Sequence, residues 1–160
     1  MTKPAASEFV ERMGVVLSED GLPRIAGRIF GLLLVSPDDL SLDELAETLG
    51  VSKASVSLDT RRLEQRGLVE RVSRPGDRRD YYRVRPDLLS NLMEQRLRRW
   101  RRIHETLTEG RRALHGQSTV VDERLADFAE GLDHSILNLA SALQRWRATR
   151  PTRAAAAGGR

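Results

Sequence analysis

The stretch SLDELAETLGVSKASVSLDTRRLEQRGLVERV, residues 41 to 72, constrains the fold more than any other part of this chain. Ser41 and Glu44 stand three residues apart just ahead of an apolar run, the spacing at which each side chain satisfies the other's free backbone N–H. Leu42, Leu45, Ala46 and Leu49 then share one helical face, and Gly50 supplies the left-handed residue that ends a helix. Two positions later Ser52 is placed to cap a second helix, with Val56, Thr60 and Leu63 facing inward and Gly67 at its end. Two short helices joined by a glycine-containing turn form a helix-turn-helix. Capped pairs of this kind also occur in ordinary bundles, so the flanking sequence has to decide between the two.

On the N-terminal side, Phe9, Met13, Val16 and Leu17 fall on one face and predict a helix over residues 7 to 18, broken at Gly21. Pro23 suits the first turn of a further helix that runs through Ile25, Ala26, Ile29, Phe30 and Leu33 to the stop signal Ser36-Pro37. That helix is apolar nearly all round and is expected at the buried centre. On the C-terminal side, Leu68 to Ser73 and Asp80 to Arg85 are short strand candidates. The second places Tyr82 and Val84 on one face and Tyr81, Arg83 and Arg85 on the other. Between them lies SRPGDRRDYY, residues 73 to 82. Alone, a charged Pro-Gly turn is only a wet turn. Directly after a helix-turn-helix and flanked by two strands, it becomes the arginine-rich tip of a winged helix.

After Pro86 the pattern is helical only. Leu89, Leu92, Met93, Leu97, Trp100, Ile103 and Leu107 trace one stripe. A second stripe runs from Val121 to Trp146, separated from the first by HGQST. The expected fold class is mainly α with a small β-hairpin wing: a winged helix-turn-helix plus long helices that form a dimerisation domain. The expected divisions are an N-terminal dimerisation helix at 1–20, the winged helix-turn-helix at 21–86, a helical dimerisation region at 87–148 and a disordered Ala/Gly-rich tail at 149–160.

Net charge is +4, unevenly spread: residues 1 to 50 carry 4 basic and 9 acidic side chains, residues 51 to 112 carry 17 and 9. A basic segment inside a chain with acidic parts is the electrostatic footprint of a polyanion binder. With no cysteine, disulfides, thiolate metal sites and a Cys nucleophile are excluded. IFGLLLV, residues 29 to 35, is too short to span a bilayer and the first residues lack a secretion signal, so a cytoplasmic protein without membrane attachment is expected. None of the hydrolase, P-loop, dinucleotide or zinc-protease signatures occurs, and neither an enzyme nor a cofactor is implied. His104 and His115 would stand about 16 Å apart on a continuous helix, too far to share an ion. No metal site is expected within one chain, although a metal-responsive sensor paired across subunits, or a winged helix used for protein contact, stays open.

This order of elements resembles the multiple-antibiotic-resistance-regulator (MarR) superfamily of bacterial transcription regulators, and more closely its branch named after the glycine-betaine synthesis regulator, GbsR. The residues that carry the resemblance are GLPRIAGRIFGLLL at 21 to 34, LSLDELAETLGVSKASVS at 40 to 57, LEQRGLVERV at 63 to 72 and RPGDRRDYYRVRPD at 74 to 87. The resemblance implies a homodimeric regulator, most often a repressor, that binds double-stranded DNA. It also implies a small-molecule cleft near Phe30 and Trp100, with an effector whose identity is unknown. An aromatic cage for a quaternary amine is not expected from seven aromatic residues.

On a helix beginning after Ser52 with Val56, Thr60 and Leu63 buried, Ala54, Ser57, Leu58, Arg61 and Arg62 occupy the opposite face and are expected to meet a major groove. Ser52, Lys53 and Ser55 sit at the helix N-terminus, where free N–H groups favour a phosphate. In the wing, Arg74, Arg78 and Arg79 are expected to contact DNA, and the resemblance implies that Asp77 braces Arg79. Phe9, Met13, Leu125, Phe128, Leu132, Ile136, Leu139, Leu143 and Trp146 are the expected dimerisation residues, since two long apolar stripes exceed what one helix pair buries.

Overall fold

The computed structural model describes residues 3–149. The expected tail at 149–160 lies outside them except for Thr149, which still belongs to the last helix. The chain divides into two compact units, the first ending at Leu88 and the second beginning at Leu89.

The first unit contains α1 (Lys3–Glu19), α2 (Arg24–Val35), β1 (Leu40–Ser41), α3 (Leu42–Leu49), α4 (Lys53–Gln65), β2 (Val69–Ser73) and β3 (Asp80–Val84). α2 is its axis, as its near-continuous apolarity requires: Ala26 and Ile29 are inaccessible, and Phe30 and Leu33 are buried. Phe30, expected near an effector cleft, is therefore part of the core. Around α2 close Leu45 and Leu49 of α3, Val56 and Leu63 of α4, and Val69 and Tyr82 of the sheet. α1 begins four residues earlier than the apolar pattern indicates and lies directly on α2. Glycines permit that approach: a Cβ at Gly27 would sit 2.7 Å from the Met13 carbonyl oxygen and 2.8 Å from the Gly14 Cα. Met13 accordingly packs on Gly31 of its own chain, although the apolar pattern assigned it to a dimer interface.

The capping box forms as the spacing predicts. The Ser41 hydroxyl accepts from the Glu44 N–H at 3.3 Å, and the Ser41 N–H donates to Glu44 Oε2 at 2.7 Å. Gly50, at φ +64°, closes α3 in the left-handed region. The sheet has one strand more than the sequence suggested: β1 pairs with β3, Leu40 against Tyr82 and Ser41 against Tyr81, giving the antiparallel order β1-β3-β2. Two residues are too few for an alternating pattern, so nothing local announces this strand.

The second unit holds α5 (Leu88–Leu114, whose first residue closes the first unit) and α6 (Thr119–Thr149). Their lengths correspond to about 40 and 46 Å at the usual rise. Pairing of Glu94 with Arg147, and of His104 with Asp133 at 3.2 Å, sets them side by side in antiparallel sense. Leu97, Ala129, Leu132 and Leu143 are buried, whereas Val120, Phe128 and Leu137 are each more than half exposed.

Candidate nucleic-acid interface

α4 is held from three directions. Ser52 caps it, its hydroxyl accepting from the Ser55 N–H at 3.2 Å. Lys53 at its first turn pairs with Asp43 of α3 at 2.8 Å. At its far end Arg66 donates to the carbonyls of Asp20 and Gly21, tying the helix to the α1–α2 turn. With Val56, Asp59, Thr60 and Leu63 buried, the outward face presents Ala54, Leu58 and Arg61, and Leu58 is 51% exposed. Ser57 is half-buried and within reach of Arg61 Nη2 at 3.4 Å.

Arg62 behaves differently from its neighbour. The sequence placed it on the outward face beside Arg61. In the structure it donates to Asp59 Oδ1 at 2.7 Å, and the Asp59 side chain is only 5% exposed. A buried carboxylate needs a charged or hydrogen-bonding partner, and among the described residues Arg62 supplies it. Periodicity alone does not reveal this, because an aspartate at a helical position reads as solvent-facing by default.

The wing turns at Arg74-Pro75-Gly76-Asp77, where the Asp77 N–H donates to the Arg74 carbonyl at 3.1 Å and Gly76 has φ +80°. Proline followed by a residue at positive φ is the signature of a type II turn. Beyond it Asp77 grips Arg79: Oδ2 accepts from Nη2 at 2.7 Å and from Nε at 3.1 Å, and Oδ1 accepts from the Arg79 backbone N–H at 2.9 Å. The bracing contact implied by the family resemblance is thus present. Hydrogen bonding from Arg79, with a further bond from Tyr81, holds the Asp77 carboxyl far below the usual carboxylate range. The same pairing raises the Arg79 guanidinium further above its ordinary value.

The three wing arginines differ in what they have left to offer. Arg74 lies 3.7 Å from the Tyr81 ring centroid and donates to the Asp39 carbonyl at 3.2 Å, so its head is committed to the wing's base. Arg79 is braced but 56% exposed. Arg78 is exposed and has no polar partner among the described residues. Cross-strand pairs flank the tip, Arg71 with Asp80 at 3.1 Å and Arg83 with Glu70 at 2.7 Å. Among the described residues no group of three or more histidine, aspartate or glutamate side chains converges as a metal ion would need, and no helix is long and apolar enough to cross a membrane.

A family model described as the MarR family matches residues 20–80, the span from the α1–α2 turn to the start of β3. The HTH-type transcriptional regulator MmpR5 of Mycobacterium tuberculosis is 34% identical over 145 residues, covering 90% of this chain and 88% of that protein. The chain belongs to the MarR family. Another relative, the putative HTH-type transcriptional regulator YvaV of Bacillus subtilis, is 26% identical over 89% of this chain and 79% of its own length. A crystal structure of a transcriptional regulator superposes with a TM-score of 0.77 at 34% identity, covering 92% of this chain and all of that one. The MarR winged helix is therefore the architecture on which the exposed face of α4 and the braced wing are displayed.

Proposed function

We propose that this MarR-family protein is a cytoplasmic transcriptional regulator, without enzymatic activity, that binds a near-palindromic operator as a homodimer and represses from it until a small molecule intervenes. One observation carries the DNA-binding part: α4 turns Ala54, Leu58 and Arg61 to solvent while the adjacent hairpin holds Arg78 and Arg79 at its tip. α4 supplies the groups that discriminate base edges in a major groove. Arg61 pairs with a guanine edge, Ser57 donates or accepts, and Leu58 meets a thymine methyl. Ser52, Lys53 and Ser55 set the helix N-terminus against a phosphate. The wing adds sequence-independent grip, its arginines following the backbone into a narrowed minor groove.

The dimer is supported by apolar surface left uncovered in a single chain. Phe9 on α1, Leu89, Leu92 and Leu114 on α5, and Phe128 on α6 are all more than a third exposed. Leu125, Ile136, Leu139 and Trp146 are partly accessible, while Leu132 and Leu143 are already buried and would support the interface from beneath. A twofold dimer presents its two α4 helices to half-sites about one helical turn, roughly 34 Å, apart.

Footprinting of the DNA flanking the protein's own gene tests the proposal: a protected, near-palindromic segment is expected. Arg61→Ala or Ser57→Ala should change the preferred sequence in a binding-site library; a uniform loss would confine both residues to backbone contact. Arg79→Ala should weaken binding to all sequences and lower the slope of log K against log salt by about one. A compact monomer at micromolar concentration in sedimentation would refute the dimer.

A further inference from the structure

The wing contains one large side chain to which neither base reading nor backbone contact has been assigned. Tyr81 is 2% exposed, yet it is absent from the cluster of core side chains that its neighbour Tyr82 joins. Successive strand residues point to opposite faces, so burial of both tyrosines needs a cover on each side. For Tyr81 part of that cover is the wing itself. The Arg74 guanidinium lies 3.7 Å from the ring centroid and the Arg79 guanidinium 5.4 Å, both within the range at which a cation is held by an aromatic face. The Tyr81 hydroxyl donates to Asp77 Oδ2 at 2.7 Å, the same oxygen that accepts from Arg79 Nη2 at 2.7 Å.

A guanidinium carries five N–H groups in a rigid planar fork. Arg79 turns Nε and one Nη2 hydrogen to Asp77, which leaves the Nη1 edge facing away from the carboxylate. Arg74 anchors the stack to the body of the unit through the Asp39 carbonyl. We propose that Tyr81 is a positioning residue for DNA binding: stacked on Arg74 and Arg79 and bonded to Asp77, it holds the Arg79 guanidinium with its free edge presented to the nucleic acid before contact. An arginine fixed in this way loses less rotamer freedom on binding than a free one, and the difference appears as affinity. The proposal rests on the wing's contact with DNA proposed above.

A residue that positions a contact changes affinity but not the number of phosphates neutralised. Full-length protein is titrated with a mixed-sequence duplex of about 30 base pairs at several salt concentrations, a probe to which a phosphate contact responds without a known operator. Tyr81→Phe keeps the ring and removes only the hydroxyl. It should weaken binding about fivefold at every salt concentration, near the net worth of one hydrogen bond, with the slope unchanged. Arg79→Ala should lower the slope by about one, and Tyr81→Phe added to Arg79→Ala should weaken binding no further. If Arg79→Ala behaves so while Tyr81→Phe is silent, additive in the double variant, or itself lowers the slope, the role of Tyr81 is overturned. If Arg79→Ala changes neither affinity nor slope, the wing does not touch DNA and both proposals fall.

Discussion

Gly27→Ala isolates the contact on which the first unit's helical layer depends. In an exposed helix interior this substitution is stabilising by about 1 kcal/mol, because alanine loses less backbone entropy than glycine. At Gly27 the added methyl would stand 2.7 Å from the Met13 carbonyl oxygen and 2.8 Å from the Gly14 Cα. Both are backbone atoms of α1, so no side-chain rotation relieves them. The whole helix has to move by roughly half an ångström, loosening Met13 from Gly31 and the Glu11–Arg28 pair, now 2.6 Å apart, that spans the same crossing. Overpacking of a tight contact costs about 1–3 kcal/mol, and a clash with backbone on the facing helix belongs in the upper half of that range, about 2–3 kcal/mol, of which the propensity gain of about 1 kcal/mol offsets only part. A net loss of about 1–2 kcal/mol follows, equivalent to a fall in melting temperature of roughly 4–16 °C for a cooperative unit of this size. Urea denaturation at one fixed protein concentration is the assay, since association would otherwise shift the midpoint. Gly131→Ala on α6 is the control: nothing lies within 4 Å of its Cβ position, and it should raise stability by up to about 1 kcal/mol. A Gly27→Ala variant as stable as the parent would refute close backbone contact as the reason for glycine there.

Three further expectations rest on other contacts. Ser41→Ala removes the cap of α3 and leaves the Glu44 N–H without its acceptor; a loss of about 1–2 kcal/mol in the same denaturation assay is expected, and an unchanged midpoint would show that the box is dispensable. Arg62→Ala strips the buried Asp59 of its cation and should cost about 1–2 kcal/mol, short of the full penalty for a buried pair because Arg62 is 44% exposed; Asp59→Asn in the same background should restore much of it. The carboxyls of Glu44, Asp77 and Asp87 are all held below their ordinary range, by bonds from Ser41, Arg79 and Arg85 respectively. A carboxyl depressed in the folded state contributes stability above its unfolded value of about 4 and loses it as pH falls through the folded one. Stability measured from pH 7 downward should therefore hold to about pH 5 and then decline, more shallowly in Asp77→Asn; stability that rises on acidification would contradict these pairings.

The linear sequence determined whatever depends on neighbours a few positions apart. The capping box, the glycine that closes α3, the cap of α4, the Pro-Gly turn and the helical periods are local interactions whose partners are fixed by chain spacing. They specify the winged helix and place α4 and the wing tip in it. Tertiary structure alone decided how equivalent-looking arginines divide their work. Arg61 and Arg62 are adjacent in the chain, yet one faces solvent while the other is held by a carboxylate that packing has buried. Arg74 and Arg78 both flank the same turn, but only Arg74 finds an aromatic face and a carbonyl from β1's approach 35 residues away. β1 itself and the glycine crossing of α1 on α2 are of the same kind. Guanidinium heads sit on long flexible stems and are captured by whatever carboxylate, ring or carbonyl the fold brings near, and that proximity is a property of the packed chain.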